Sequence, residues 1–252
     1  MKIDLSGVTV LVTGGSGGIG EAMALSLAES NAIVALHYNS NRSAAERIVG
    51  KLGGGAACFR ADLSVPVQAF SLFREVLERY GTIDVLVNNA GIFEPSPVTA
   101  AGEAWLEDWD RTIAVNLTSA GMLCHAAIDH FKARGGGRII HIASRAAFRG
   151  ETEDYLAYAA SKGGLVSLSR SIARSFGTYG ITSFVIAPGF VRTGMTEEFL
   201  DAHERDIIEH ELSLRRLTAP DDIAPVVTFI AAGLLDHATG CTIDINAGSY
   251  MR

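Results

Sequence analysis

Tyr158 and Lys162 stand four positions apart in "YAASK", and Ser144 lies upstream at the end of "RIIHIAS". On a helix that spacing puts the phenol and the ammonium on one face. An unperturbed tyrosine, with a pKa of about 10, exchanges its proton poorly near neutrality, so a phenol that does acid–base work needs its phenolate stabilised. A cation one helical turn away supplies that stabilisation and, joined by a second positive charge, should lower the phenol's pKa toward the working range. A serine hydroxyl nearby can hydrogen-bond a carbonyl oxygen where negative charge develops. Tyr155 is a rival for the phenol, but its i+4 neighbour is Ala159, which carries no charge. Taken singly, each residue has a plainer reading. Ser144 could simply close a strand, Tyr158 could be a packing aromatic, and Asn116 in "NLTSAG" could satisfy its own helix.

What would work beside such a phenol is suggested by "VLVTGGSGGIGEA" (10–22). Read from Gly15 through Gly17 and Gly20 it spells Gly-x-Gly-x-x-Gly. Read from Thr13 it spells Thr-Gly-x-x-x-Gly-Ile-Gly through Gly14, Gly18, Ile19 and Gly20. In either register a strand ends at Val12 and a helix follows over 20–29, with Asn31 just past its end. A glycine turn in that context aims backbone N–H groups at a pyrophosphate, and the helix dipole favours the negative charge. A lone fingerprint is weak, because glycine-rich turns also occur for steric reasons.

The elements that must position these groups alternate along the chain. Short β-branched runs fall at 8–12, 32–38, 56–62, 83–89, 138–144, 181–188 and 240–246. Helical patterns lie between them. In one, Pro66 starts a helix that Gly81 stops, and Val67, Phe70, Leu72, Phe73, Val76, Leu77 and Tyr80 form its apolar side. Alternation of this kind predicts an α/β fold, a Rossmann-like doubly wound parallel sheet with helices on both faces. Ligands gather beyond the carboxyl ends of such strands, so Thr13, Asn88, Ser144 and Pro188 are expected to line one crevice. We expect a single domain over 1–252. The long irregular interval 189–220, with its charged piece "TEEFLDAHERDIIEHEL", reads as a substrate lid at about 190–216.

Bulk properties narrow the function classes. At 252 residues and 48% hydrophobic composition the chain can bury a large core. A net charge of −7 and no long Lys/Arg run argue against a nucleic-acid surface. No signal peptide or membrane span is expected. Cys58, Cys124 and Cys241 are scattered in apolar segments, which speaks against a disulfide or zinc framework and for a reducing, cytoplasmic setting. His125 and His130, at i and i+5, do not share a helix face well and lack a carboxylate partner, so no metal site is expected.

Together, "TGGSGGIG", Asp62-Leu63, "NNAG" (88–91), Asn116, Ser144, "YAASK" and "PGFVRT" (188–193) resemble, in order and over essentially the whole chain, the short-chain dehydrogenase/reductase family in its compact single-domain branch. The joint pattern selects the Thr13 register. The resemblance implies a seven-stranded sheet, commonly a homotetramer, and an oxidoreductase that interconverts a carbonyl and a secondary alcohol by hydride transfer. In it Tyr158 is the acid/base, the oxidised nicotinamide is the second positive charge that joins Lys162 in lowering its pKa, Ser144 polarises the substrate, Lys162 also holds the nicotinamide ribose, and Asn116 supports a water linking Lys162 to solvent. Cofactor contacts are expected from Thr13, Gly14, Ser16, Gly18, Ile19, Gly20, Asp62, Leu63, Asn89, Ala90, Gly91, Tyr158, Lys162, Pro188, Gly189, Val191 and Thr193. The Ser144-to-Tyr158 interval of 14 is one residue longer than is common in the family, and the "RGETED" loop is expected to absorb it.

The end of the second strand, "HYNSNRS", carries no carboxylate for a ribose 2′-hydroxyl. Asn39, Ser40 and Arg42 instead suit the 2′-phosphate of NADP (NADPH), with NAD as the alternative. Phe93, Phe148, Phe190, Val191 and Met195 are expected around the substrate. Arg145 would suggest a polar or anionic substrate if turned inward, but an outward, solvated side chain is expected. The nearest general pattern is that of 3-oxoacyl-carrier-protein reductases. Lys132, Arg134, Arg138, Arg170 and Arg174 could then form a patch for an acyl carrier protein, or could be ordinary partners of helix ends. Sugar or polyol dehydrogenases of the same family, a non-catalytic NADP-sensing protein, and a sugar-nucleotide epimerase or dehydratase are the competing readings. The helices bearing Asn116 and Tyr158 are apolar on more sides than a monomer needs, which favours self-association.

Overall fold

The computed structural model describes residues 2–194, 210 and 212–251. Seven strands form one parallel sheet in the order β3-β2-β1-β4-β5-β6-β7. They are β1 (Thr9–Val12), β2 (Ile33–Tyr38), β3 (Ala57–Arg60), β4 (Val85–Asn88), β5 (Gly137–Ile142), β6 (Ile181–Pro188) and β7 (Thr242–Ile245). Six fall within the expected runs, β6 matching its run end to end, and β5 begins one residue before its run, at Gly137. The chain winds outward from β1 to β3, returns to β4 on the other side of β1, and continues to β7. That reversal opens a crevice beyond the carboxyl ends of β1 and β4.

Period-2 alternation sends successive strand residues into two cores. Val10, Val12, Val34, Leu36, Val85 and Val87 meet α1 (Gly18–Glu29), α2 (Arg42–Leu52) and α8 (Pro220–Ala231). Leu11, Ala35, Leu86 and Ile139 meet α3 (Gln68–Tyr80), α5 (Ser119–Arg134) and α7 (Leu156–Phe176). Because both faces are covered, the strands read as continuous apolar runs.

α1 ends where the sequence says it should: Asn31 follows it in the left-handed region, at φ +68°. α3 begins two residues after Pro66 and stops at Gly81, φ +73°. Its buried side is Ala69, Leu72, Phe73 and Val76, whereas Val67 and Phe70 are exposed. Phe70 packs edge-on against His125 of α5 at 5.7 Å instead of entering the core.

α4 (Gly102–Ile113) runs into α5 through a π-helical turn, Ala114–Thr118, which holds Asn116. A short α6 (Ala146–Arg149) follows β5. The ends of the 189–220 interval are zipped together. Val191 bridges Thr218, Arg192 N–H donates to the Thr218 carbonyl at 2.9 Å, and Thr218 N–H donates to the Phe190 carbonyl at 3.2 Å. Met195 and most of the expected lid lie outside the described residues. Among the described residues no helix is long and apolar enough to cross a membrane.

Candidate active site

The turn from β1 to α1 is clasped to the end of β4. Thr13 Oγ1 accepts from the N–H groups of Asn89 (2.9 Å) and Ala90 (3.0 Å) and donates to the Val87 carbonyl (3.2 Å). The Asn89 amide returns two bonds, to the carbonyls of Thr13 (2.8 Å) and Gly14 (3.0 Å). Thr13 is thus engaged in holding the loop; it is 1% exposed and is not among the residues lining the two cavities that open from this clasp. Asn88 is also turned away from the crevice, toward Cys124 (3.4 Å) and His141 (3.4 Å). Gly14, at φ +62°, sits where a Cβ would come within 2.8 Å of the Ala90 backbone, so the close approach of β1 and β4 needs a glycine here.

From this clasp a cavity of about 540 Å³ runs to the chemistry-bearing residues. Gly14, Ser16, Gly18, Ile19 and Gly20 line one end, where α1 presents its first N–H groups, and Asn89, Ala90 and Gly91 form the floor. Pro188, Gly189, Val191 and Thr193 form the opposite wall, and Ser144, Tyr158 and Lys162 close the far end. A second cavity of about 260 Å³ shares Gly14, Ser16, Ala90 and Gly91 and extends past Asn39, Ser40, Asp62 and Leu63. An elongated, glycine-floored groove with helix N–H donors at its middle fits a dinucleotide.

At this second end Asp62 accepts from the N–H (2.9 Å) and hydroxyl (2.6 Å) of Ser64, which hold its carboxyl below the ordinary carboxylate range. It thus caps the turn and lines the cavity together. Arg42 departs from expectation. Its guanidinium pairs with Glu46 at 2.7 Å on the exposed side of α2, and Asn41, not Arg42, is among the residues lining this cavity. Two arginines that the sequence reading did not single out come closer. Arg60 donates to the Asn39 carbonyl at 3.2 Å, and Arg111 lines the cavity while pairing with Glu94 at 3.1 Å.

At the other end Ser144 lies two residues past β5, and its Oγ accepts from Ala146 N–H at 3.1 Å, opening α6. Tyr158 is on the first turn of α7, half-buried, and lines the same end of the cavity as Ser144. One turn on, Lys162 is buried; its Nζ donates to the Ile142 carbonyl at 2.9 Å and lies 5.6 Å from the Tyr158 ring centre. Without a bound cofactor the Tyr158 pKa lies above its ordinary value. Burial pushes the phenol up to about 12, the Ser144 hydroxyl pulls the other way, and Glu151 adds to the rise. Burial likewise takes the Lys162 ammonium down to about 8. The lysine faces a neutral carbonyl, so burial outweighs its field on the phenol.

Asn116 makes a clamp. Its Oδ1 accepts from Ile92 N–H (2.8 Å), while its Nδ2 donates to the Ile92 carbonyl (3.0 Å) and to Ser161 Oγ (3.2 Å). It joins the loop after "NNAG" to α7, and the π-helical turn is what aims it there. Gly91 fits between it and the lysine: a Cβ there would meet Asn116 Oδ1 and Lys162 Nζ, each at 3.3 Å.

Around these groups Phe93 stacks on Tyr155 (centroids 4.0 Å apart) and meets Tyr158 edge-on (4.8 Å). Arg145 is a correction: it is 3% exposed, with its guanidinium 4.2 Å from the Phe190 ring centre, not solvated. The N–H of Arg145 donates to the Pro188 carbonyl, which turns the residue inward as α6 begins. Three residues of the possible basic patch have local partners, in keeping with the plainer reading of them. Lys132 lies over the rings of Phe176 and Tyr179, Arg134 pairs with Asp84 at 2.8 Å, and Arg138 pairs with Asp236 at 2.7 Å. These residues sit at the amino ends of the strands, opposite the crevice. His130 is tied to the Ile83 backbone and His125 faces Asp129 on the surface.

A family model described as Enoyl-(Acyl carrier protein) reductase matches residues 14–250. The chain is 34% identical over 253 residues to 3beta-hydroxysteroid dehydrogenase 1 of Eggerthella lenta, covering 98% of this chain and 95% of that protein. It is 32% identical over 246 residues to the 3-oxoacyl-acyl-carrier-protein reductase FabG of Staphylococcus aureus, covering 96% and 98%. The crystal structure of a short-chain type dehydrogenase/reductase from Mycobacterium marinum superposes with a TM-score of 0.89 at 28% identity, covering 99% of this chain and 98% of that one.

Proposed function

This chain belongs to the short-chain dehydrogenase/reductase family, and on that premise we propose that it is an NADP-preferring oxidoreductase, acting as one catalytic unit, that reduces a 3-oxoacyl thioester to the secondary alcohol. The observation that carries the reading is the convergence of Ser144, Tyr158 and Lys162 at one end of a groove whose other end is a glycine turn. The nicotinamide, when bound, supplies the hydride.

Every other part of the reaction falls to the protein. Ser144 Oγ donates to the carbonyl oxygen as it gains charge. Tyr158 Oη gives that oxygen its proton, and a phenol held up near 12 is protonated and ready to do so at neutral pH. Lys162, beside it, limits the cost of the phenolate that remains, and Asn116 holds the neighbouring backbone and Ser161 in place for proton return. Gly14, Ser16, Gly18, Ile19 and Gly20 would hold the pyrophosphate, and Asp62 and Leu63 the adenine. The preference for the phosphorylated cofactor rests on Asn39 and Ser40 at a strand end with no carboxylate, with the Arg60 cation beside them.

A cytoplasmic homotetramer that acts on acyl groups still attached to a carrier protein completes the reading. The aromatic wall of Phe93 and Tyr155 favours a second substrate class, flat and apolar, like that named for the hydroxysteroid relative. The experiment is NADPH oxidation with acetoacetyl-coenzyme A, beside NADH and Tyr158→Phe. Turnover that favours NADPH and vanishes in the variant is expected. Tight NADPH binding without turnover would reject the thioester and turn attention to cyclic ketones.

A further inference from the structure

We propose that His37 is a positioning residue of the cofactor groove, its imidazole pinning the phosphate-binding turn to the adenine end. The inference rests on the reading of the groove as a nicotinamide-nucleotide site. His37 is the fifth residue of β2 and is 2% exposed. Its neighbours in the strand, Val34, Ala35 and Leu36, are wholly apolar and buried, so packing alone gives no reason for an imidazole. A buried polar ring without partners costs free energy, whereas this ring has two.

Nδ1 lies 3.0 Å from Gly14 N–H and Nε2 lies 3.0 Å from the Ala61 carbonyl. An amide N–H can only donate and a carbonyl can only accept, so the pair of contacts fixes the tautomer: Nδ1 bare, Nε2 protonated. The carbonyl of His37 also takes Gly15 N–H at 2.8 Å, so two successive amides of the glycine turn end on one residue. Ala61 stands directly before Asp62 and Leu63, which line the adenine end. The ring therefore spans from the exit of β1 to the exit of β3 and holds the two halves of the groove in register. Burial pushes its pKa down to about 4, which keeps this tautomer intact in neutral solution. A strand-end histidine in an apolar run was legible in "VALHYN", yet its partners are not, because Gly14 and Ala61 are distant in sequence.

The test compares the whole protein with His37→Leu, which removes both bonds, and His37→Asn, which keeps an acceptor near Nδ1. For His37→Leu, the Kd and KM for NADPH should rise by about tenfold or more, since a buried amide is left unsatisfied, while kcat at saturating NADPH stays within about twofold. His37→Asn should recover much of the loss. A His37→Leu protein that binds NADPH as tightly as the parent, or that loses kcat without a change in KM, overturns the proposal. Should that variant fail to fold, the parent itself decides. A through-bond NMR coupling between the Gly14 amide nitrogen and His37 Nδ1 is expected, and its absence overturns the proposal. A parent that binds neither NADPH nor NADH would instead overturn the cofactor reading, whatever the coupling.

Discussion

The Lys162 ammonium donates to the Ile142 carbonyl at 2.9 Å, tying the start of α7 to the end of β5 by a buried cation. The one bond does not replace the water lost, and burial lowers the lysine pKa to about 8 from an ordinary 10.5. Because the folded-state value is the lower one, the folded chain binds this proton more weakly than the unfolded chain. The cost to stability is fully present below about pH 8 and fades as pH rises toward 10.5. Its full size is on the order of 3 kcal/mol. Lys162→Met should therefore melt no lower than the parent at pH 7, with an advantage that shrinks between pH 8 and 10.5. Its turnover should drop by about a hundredfold or more. A clear fall in Tm at pH 7 would show that the Ile142 bond outweighs burial.

Tyr158 supplies the second prediction. With its phenol pushed up to about 12, the protein alone should show no tyrosinate at this position near neutrality. Oxidised cofactor brings a positive charge to the same end of the groove and should lower the value, since a nearby cation favours the phenolate. Tyrosinate absorbance titrated with and without oxidised cofactor should differ in the parent and not in Tyr158→Phe. Identical curves in the parent would remove the cofactor from the activation of the phenol.

These two residues also mark how far the sequence could be read. The i, i+4 spacing placed Tyr158 and Lys162 together correctly, and seven β-branched runs became seven strands because a doubly covered parallel sheet leaves a plain apolar signature. The upward pull on the tyrosine in the protein alone was not legible, because it depends on burial, on which way Nζ turns and on Glu151, all set by the fold. The motif marked Thr13 without showing how it is held. Its three bonds to the end of β4 are a tertiary fact that spacing cannot express. Arg145 failed for a like reason: a charged residue is normally exposed, and only the Pro188 carbonyl and the Phe190 ring reveal the exception.

Ser144 has two duties that mutation can separate. Its Oγ accepts from Ala146 N–H and lies at the Tyr158 end of the cavity, so Ser144→Ala frees a buried amide as well as removing a donor to substrate. Loss of a preorganised donor should lower kcat by roughly 10²-fold or more, and the lost bond should cost about 1 kcal/mol of stability. Ser144→Thr keeps the hydroxyl and should restore the melting temperature. If Ser144→Ala leaves kcat within about twofold of the parent, the polarising role passes to another group.

Selectivity between the two nicotinamide cofactors should turn on Arg60, not Arg42. Arg42 is the more obvious candidate in sequence, one residue past the turn that follows β2, but its guanidinium is committed to Glu46 on the exposed flank of α2. Arg60 leaves β3 beside that turn, where its Nε holds the Asn39 carbonyl, and its charge helps keep Asp62 ionised. A 2′-phosphate placed by Asn39 and Ser40 would meet this cation, whereas the hydroxyl of NADH has no charge to offer it. Arg60→Ala should raise the KM for NADPH by about tenfold and leave that for NADH within about twofold, and Arg42→Ala should move neither by more than about twofold. Arg60 is solvent-exposed, so the parent's preference should also narrow as salt is added. An Arg60→Ala protein with an unchanged NADPH-to-NADH ratio would mean that the neutral donors of the turn set the preference by themselves.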